Sequence, residues 1–322
     1  MKFRTELSIS ESKYKISHHS RLLCLGSCFA QNIGNKLKDY LFDSEVNPWG
    51  IAYNIVSICK HLEYCLDKKS ISHTDLDYNP ITELYTHPDF HSSFSNTNPN
   101  KIVDHINSVN KEYFETLETV DFIILSLGTS IVYKKEKDVV ANCHKFPGSS
   151  FEKVLLEQNT QIERFKTLYH RIKNLNQDVK IILTVSPIRH TKEGLIDNQL
   201  SKSILRVVTH ELSSFSDSIF YFPSYEIMVD DLRDYRFYSN DLIHPNDVAI
   251  NYIWNKFGAS YFDKETRALN NKIEKWVALE NHKIMFPETT QGSKLSEKKL
   301  QVKNDLLLAY PFLSNRIKDN SI

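Results

Sequence analysis

The chain has no excess charge of either sign and no apolar run long enough to span a membrane. Its 40 basic residues are balanced by 40 acidic residues, so the formal net charge is zero. A neutral chain creates no strong field towards nucleic acid or anionic lipid, and we expect neither nucleic acid nor a membrane as a partner. The segment from residue 1 to residue 7 lacks the apolar stretch of a secretory signal, and no later run approaches the roughly 20 apolar residues of a membrane helix. We therefore expect a cytoplasmic protein.

The sequence also lacks a cysteine framework and the spacing of a zinc site. Its five cysteines are odd in number and irregularly spaced, as expected of reduced thiols in the cytoplasm. The most suggestive metal-ligand pair, Cys143 and His144, is adjacent, a spacing at which two side chains seldom share one ion. We therefore expect no metal.

What the chain does contain is an alternation of apolar strands and amphipathic helices. The 322 residues are 41% hydrophobic and 25% charged, which is normal for a globular protein with a sizeable core. Strands are predicted over 122–127, 179–185 and 218–222, and helices over 55–66, 102–117, 158–176 and 198–213. Strands that are apolar throughout and separated by helices indicate a parallel sheet covered on both faces.

The most informative local sequence is an apolar run, 22–25, that leads through Gly26 to Ser27 and Cys28. The run predicts a buried strand, the glycine permits a tight turn, and the apolar residues after Cys28 recur at helical spacing. A hydroxyl or thiol at such a turn lies beside unpaired N–H groups of a helix start, which stabilise developing negative charge. The alternative is an ordinary turn with a buried cysteine.

A second element lies far downstream, where Asp241 precedes His244 by three residues. This spacing lets the carboxylate orient the imidazole ring. A nucleophile is weak until a base takes its proton, and the base works best when a third group fixes its tautomer. The chain order of nucleophile, Asp and His fits an acyl-transfer triad, although such a pair alone is also found in surface loops and helix caps.

Several ordered motifs resemble the GSCFA domain family, which is similar to the SGNH (GDSL-type) hydrolases. They are Gly-Ser-Cys-Phe-Ala at 26–30 and the stretches 47–54, 127–129, 140–145, 184–190, 221–226 and 234–245. The resemblance implies a three-layer α/β/α sandwich with a parallel sheet, SGNH hydrolase-like and flavodoxin-like, and ester or acyl chemistry. We expect this domain to cover residues 1–260.

The resemblance leaves the nucleophile open. Aligned without a gap on the Gly-Asp-Ser block of the SGNH relatives, Cys28 takes the nucleophile position, whereas a slip of one residue gives that position to Ser27. The helical spacing of Phe29 and Ile33 slightly favours Cys28, but esterases mostly use serine. A helix N-terminus and a neighbouring imidazolium would favour the thiolate of Cys28.

The resemblance also implies an oxyanion hole, formed in the relatives by the nucleophile's own N–H, a glycine N–H and an asparagine side chain. Gly50 is similar to that glycine. No asparagine stands at the expected position after Gly128, so Thr129, Asn142 or Asn54 are the candidates to replace it. This departure leaves open whether the site is active.

Further substrate-binding candidates come from the expectation that ligands bind outside the carboxyl ends of parallel strands. They are Asn54, Gly128, His144, Ser186, Arg189 and His190. The long polar stretch 70–100 is predicted to pass over the active face, where its aromatic and histidine side chains are suited to contacting a substrate. These are Tyr85, His87, Phe90, His91 and Phe94. The alternatives are solvated or capping residues and an insertion with no ligand role.

The chain changes character beyond residue 260. Asn246 is predicted to cap a helix over 248–257. Residues 261–322 are predicted to form a helical appendage, with charged amphipathic stretches at 263–283 and 294–309. These helices are expected to pack on the α/β body or on a second copy of the chain, giving a homodimer.

The sequence as a whole predicts an esterase or O-acyltransferase acting on an acylated small molecule or glycan. Cys28 or Ser27 attacks the acyl carbonyl, His244 takes and returns the proton, and Asp241 holds the imidazole. The reaction needs no cofactor, only water or an acyl acceptor. Two alternatives are a thioester-directed acyl transferase that uses Cys28 and a non-catalytic glycan- or partner-binding module that retains the fold.

Overall fold

A computed structural model of the chain describes residues 4–317. Within this range the strands are β1 (Arg21–Gly26), β2 (Asp43–Val46), β3 (Asp77–Asn79), β4 (Leu84–Thr86), β5 (Phe122–Leu127), β6 (Ile131–Lys135), β7 (Asp138–Val140), β8 (Glu152–Leu155), β9 (Lys180–Val185) and β10 (Ile219–Tyr221). The helices are α1 (Cys28–Asp39), α2 (Ile55–Leu66), α3 (Pro99–Thr119), α4 (Gln158–Leu175), α5 (Leu195–Phe215), α6 (Ser224–Glu226), α7 (Asp247–Tyr261), α8 (Lys264–Glu280) and α9 (Thr290–Ala309).

A five-stranded parallel sheet in the order β2-β1-β5-β9-β10 forms the middle layer. Side chains of successive strand residues point to opposite faces. On one face Leu23 and Leu25 pack with α2, α3, α4 and α5, and on the other Leu22 and Cys24 pack with α1 and α7. The predicted three-layer α/β/α sandwich is therefore confirmed.

The strand order explains where a crevice can form. Counting only the strands of this sheet, the order is 2-1-3-4-5, in which the chain leaves β1 towards one edge and later returns to build the other edge from β5. In such sheets ligands bind outside the carboxyl ends of the strands at this switch point. The turn that follows β1 and the turn that follows β5 meet there, since Gly26 pairs with Ser126 in register.

Two smaller sheets lie outside the central sheet. β6 and β7 form a hairpin, which is extended by β8 pairing antiparallel with β6. β8 has no clear signal in the sequence, because it has only four residues, two of which are charged, and three of its positions are exposed. The third sheet is the hairpin of β3 and β4.

The stretch 70–100 does not behave as predicted. Phe90 and Phe94 are buried in the core beside α2 and α3, and His87 is also buried. The aromatic side chains thus anchor this excursion to the helical layer by burying apolar surface, so the prediction that they contact a substrate is wrong for these three.

The C-terminal helices pack against each other and against the α/β body. Leu269, Ile273 and Leu306 form a small apolar cluster that includes Leu41 of the body. Arg316 fastens the same region by donating hydrogen bonds to the carbonyl oxygens of His18 and Leu41. Residues 318–322 of the predicted appendage lie outside the described residues. No helix between residues 4 and 317 has both the length and the apolar character needed to cross a membrane.

Candidate functional site

The turn after β1 separates the two candidate nucleophiles. Gly26 has a φ of +123°, and a Cβ there would lie 2.2 Å from the carbonyl oxygen of Ser126, so only glycine fits between the two strands. Ser27 caps α1: its Oγ accepts the N–H of Phe29 at 3.2 Å and shares a hydrogen bond of 2.9 Å with the Oγ of Ser126. Ser27 is 1% exposed, whereas Cys28 is half-buried. The hydroxyl of Ser27 is therefore buried and hydrogen-bonded within the fold, whereas the thiol of Cys28 is partly accessible.

The thiol of Cys28 has two groups beside it that suit a developing anion. Cys28 is the first residue of α1, so its N–H has no partner within the helix. The hydroxyl of Tyr53 lies 3.8 Å from its Sγ. Burial, and secondarily the neighbouring thiol, raises the pKa of Tyr53 to about 12, so this phenol keeps its proton at neutral pH and can donate it in a hydrogen bond. Tyr53 was not singled out from the sequence, although it lies in one of the motifs of the resemblance.

The predicted pair of Asp241 and His244 is assembled. The Nδ1 of His244 lies 2.7 Å from Oδ2 of Asp241, and Oδ1 of the same carboxylate accepts the backbone N–H groups of Ile243 and His244 at 2.9 and 3.0 Å. These backbone hydrogen bonds, and then the bond from the ring, lower the pKa of Asp241 to about 2. An ionised carboxylate at Nδ1 holds the ring proton there and leaves Nε2 as the basic nitrogen.

The segment that carries this pair is fastened to α7. The side chain of Asn246 accepts the N–H of Ala249 at 3.1 Å, which confirms the predicted cap. Its amide also donates to the carbonyl oxygen of Arg236 at 2.7 Å, closing the loop before the helix. The imidazole is thus held by contacts on both sides of the loop.

Cys28 and His244 line the same cavity, which has a volume of about 540 Å³. Residues from distant parts of the chain complete its wall, among them Tyr53, Thr129 and His190. The apolar part of its wall is contributed by β6, β7 and nearby loops through Ile131, Val132, Val140, Ala141, Ile188 and Ile243. The fold therefore brings a thiol, an imidazole oriented by a carboxylate and an apolar wall into one space.

Two predicted oxyanion donors are not available to this cavity. The N–H of Gly50 donates to the carbonyl oxygen of Asn47 at 2.7 Å, and Gly50 is packed against His91. Asn142 does not line the cavity; its Oδ1 accepts the N–H of His144 at 2.8 Å and shapes its own loop. The N–H of Gly50 is therefore already used within its own turn, and Asn142 is not among the residues that line the cavity, so neither prediction fits the structure.

Three predicted substrate-binding residues are structural instead. His144 is buried with its Nε2 2.9 Å from the carbonyl oxygen of His87, and burial lowers its pKa. Ser186 is completely buried and its Oγ accepts the N–H of Ile188 at 3.3 Å. Gly128 donates its N–H to the carbonyl oxygen of Tyr53 at 2.7 Å. None of the three lines the cavity.

Four other predicted residues do line it: Asn54, Thr129, Arg189 and His190. The amide of Asn54 is used to cap α2 and to donate to the Oγ of Ser57. The Oγ1 of Thr129 accepts the N–H of Ile131 at 2.9 Å and lies 3.0 Å from the Oγ of Ser201. Asn54 and Thr129 therefore shape the wall through side chains that are already hydrogen-bonded.

A buried lysine that sequence reasoning missed holds the turns beneath the cavity. Lys202 is 1% exposed, and its Nζ donates to the carbonyl oxygens of Gly128 at 2.6 Å and Ser186 at 2.8 Å. It thereby joins the carboxyl ends of β5 and β9. Burial lowers its pKa from 10.5 to about 7. The available signal was its helical spacing from Leu205, which places the two side chains on the same inward face of α5.

His190 lines the same cavity and lies near enough to Lys202 to be affected by its charge. Its ring contacts Tyr53 edge-on at a centroid distance of 5.4 Å, and its Nε2 is buried with no hydrogen-bond partner among residues 4–317. Burial, and secondarily the charge of Lys202, lowers the pKa of His190 to about 4. The ring is therefore neutral at neutral pH.

Comparison with known proteins identifies the family. A family model described as "GSCFA family" matches residues 21–257, which confirms the resemblance inferred from the motifs. The matched range includes β1, the turn with Cys28, Tyr53 and the loop with His244. No curated protein matches the chain.

Proposed function

The chain belongs to the GSCFA family, and from this premise together with the site we propose that it is an esterase or acyltransferase with Cys28 as its nucleophile. The observation that carries the proposal is the shared cavity of Cys28 and His244, with the imidazole bonded to Asp241. The choice of thiol over hydroxyl is supported by the burial of Ser27, whose Oγ caps α1.

The proposed reaction passes through an acyl-thioester. Nε2 of His244 takes the thiol proton as Sγ of Cys28 attacks the acyl carbonyl, and Asp241 stabilises the imidazolium that forms. The carbonyl oxygen becomes an oxyanion, for which the N–H of Cys28 and the hydroxyl of Tyr53 are the candidate donors. Collapse expels the alcohol, which receives the proton from His244.

The second half of the reaction regenerates the thiol. Water, or an acceptor alcohol, gives its proton to His244 and attacks the thioester carbonyl, and the thiolate of Cys28 then leaves and recovers that proton. The substrate is an acylated small molecule or glycan whose acyl group lies against the apolar wall. A thiol nucleophile must stay reduced, so the proposal places the protein in the cytoplasm.

A thioester-directed acyl transferase is the second candidate, and the thiol in the cavity is the observation that favours it. Exchange of an acyl group between two sulfur atoms uses the same attack by Cys28 and the same base. Comparing oxygen esters with thioesters of the same acyl group distinguishes the two: a thioester-directed enzyme acts on the thioester alone.

The test compares Cys28→Ala with Cys143→Ala, because Cys143 is a second half-buried cysteine on the wall of the same cavity. We expect Cys28→Ala and His244→Ala to lower the kcat/KM for 4-nitrophenyl esters by at least about 100-fold, and Cys143→Ala to keep it within about threefold. Ser27→Ala loses a helix cap, which costs about 1 kcal/mol, but should keep its activity while folded. Equal rates for all variants and the wild type, on short and long acyl groups, would leave the binding module as the better explanation.

A further inference from the structure

The cavity of Cys28 and His244 has an unbalanced set of charges on its wall. The lysine, arginine and carboxylate side chains that line it are Arg189, Lys192 and Glu193. Glu193 forms an ion pair with Lys153 and accepts a hydrogen bond of 2.9 Å from the hydroxyl of Tyr133, so its charge is compensated. The two cations have no ion-pair partner anywhere between residues 4 and 317.

Arg189 is held in place at the edge of this cavity. Its backbone N–H donates to the carbonyl oxygen of Ile243 at 3.2 Å, and its Nη1 donates to that of Leu242 at 3.0 Å. The guanidinium also lies 5.7 and 5.6 Å from the ring centres of Tyr235 and Tyr238. Only one of the five N–H donors of a guanidinium is needed for the Leu242 bond, which leaves the others for a ligand.

Arg189 also lines a neighbouring cavity of about 290 Å³ with Tyr235 and Tyr238. A substrate that reacts at Cys28 can therefore place one part in the first cavity and extend another part past the guanidinium towards the two tyrosines. Arginine is well suited to this position because its planar donors bind a carboxylate or phosphate in pairs.

We propose that Arg189, assisted by Lys192, binds a negatively charged group on the alcohol side of the acyl substrate, while the acyl group occupies the apolar side of the cavity. This inference rests on the proposed function, since it names the class of substrate for the same site. The substrates are then esters whose leaving group or acceptor carries a carboxylate or a phosphate.

The experiment uses alkylation of Cys28 in the full chain, which needs no turnover. Sγ attacks the methylene of iodoacetate, which carries a carboxylate, or of the neutral iodoacetamide, and iodide leaves in both cases. The rate ratio of the two reagents at Cys28 is measured by mass spectrometry of its peptide and divided by the ratio for N-acetylcysteine. We expect this normalised ratio to be about ten, because charge-assisted hydrogen bonds from Arg189 would favour the carboxylate of iodoacetate.

Variants assign the effect to its residues. Arg189→Gln should lower the normalised ratio by about tenfold and Lys192→Gln, an exposed position, by about twofold to threefold. The matched control is Arg171→Gln, because Arg171 lines neither of these two cavities and is paired with Asp67, and it should leave the ratio unchanged. Acetate and inorganic phosphate added separately as competitors show which anion slows the iodoacetate reaction more. A ratio near one in the wild type, or a ratio unaffected by Arg189→Gln, overturns the proposal.

Ester kinetics separate this inference from the proposed function. The substrates are 4-nitrophenyl acetate and its analogue 3-carboxy-4-nitrophenyl acetate, which adds a carboxylate to the leaving group. Hydrolysis of both esters at equal efficiency, together with a normalised alkylation ratio near one, would refute the anion site and support the proposed esterase activity. A high normalised alkylation ratio without hydrolysis of any ester or thioester would support the anion site and refute the proposed esterase activity.

Discussion

Lys202 makes the stability of this protein depend on pH in a direction that can be measured. Its ammonium is buried and bonded to two backbone carbonyl oxygens without a carboxylate partner among residues 4–317. Burial lowers its pKa from 10.5 to about 7. The folded pKa lies below the unfolded one, so between these values the unfolded chain binds the extra proton and stability rises with pH.

The expected size follows from the linkage of protons to folding. Raising the pH from about 7 to about 8.5 should increase the free energy of unfolding by about 2 kcal/mol through this lysine, since each pKa unit corresponds to about 1.4 kcal/mol. This is an upper limit, because the two carbonyl acceptors favour the charged form. Above a pH of about 8.5 the cysteine thiols of the unfolded chain ionise, which opposes the increase in the free energy of unfolding. The useful pH range therefore ends there.

The assay is urea unfolding followed by tryptophan fluorescence at several pH values in that window. The wild type is compared with Lys202→Met and with Lys101→Met, which removes an exposed lysine on α3. The difference between the unfolding free energies of the wild type and Lys202→Met excludes the contribution of the buried cysteines, because both proteins contain them. We expect the slope to vanish in Lys202→Met and to persist in Lys101→Met. Equal slopes in all three proteins would refute the account of Lys202 as a buried, titrating cation.

Three further predictions concern the site and the core. Tyr53→Phe should lower the kcat for ester hydrolysis by about 10- to 100-fold with a smaller change in KM, because in the proposed reaction the hydroxyl stabilises the oxyanion; an unchanged kcat in steady-state assays would exclude this role. Gly26→Ala should destabilise the fold by about 2–3 kcal/mol, because its Cβ would collide with the carbonyl of Ser126 at a positive φ; thermal unfolding with a midpoint like that of the wild type would contradict it. Burial lowers the pKa of His61 to about 4, so the unfolded chain binds more protons between about 6.5 and 4 and stability falls as the pH falls. His61→Phe should flatten this acid limb of the stability curve, and a limb of unchanged steepness would rule out His61 as its source.

The elements of the fold were predicted well where the signal is local. Helix α2 begins and ends at the predicted residues, and Asn246 caps α7 as expected. Such features follow from hydrophobic periodicity and from the chemistry of single side chains at helix ends, which neighbouring residues largely determine. The continuous apolar strands likewise indicated a sheet covered on both faces, because a strand exposed on one side would alternate with polar residues.

The candidate site was predicted only in part. The spacing of Asp241 and His244 was enough to predict their contact, since only two residues lie between them along the chain. The sequence could not show that the N–H of Gly50 is hydrogen-bonded within its own turn, nor that Lys202 reaches two carbonyl oxygens of other elements. Those outcomes depend on the path of the backbone, which composition and spacing do not specify.

The sequence by itself therefore determined the α/β/α layers and placed a serine and a cysteine at the first turn. Only the tertiary structure showed that the Oγ of Ser27 is hydrogen-bonded to the Oγ of Ser126, which belongs to the neighbouring strand β5 and is far away along the chain, whereas Cys28 lines the cavity. Which of two adjacent side chains at a turn is buried and which lines a cavity is set by packing between distant segments, and the spacing of residues along the chain does not specify that packing.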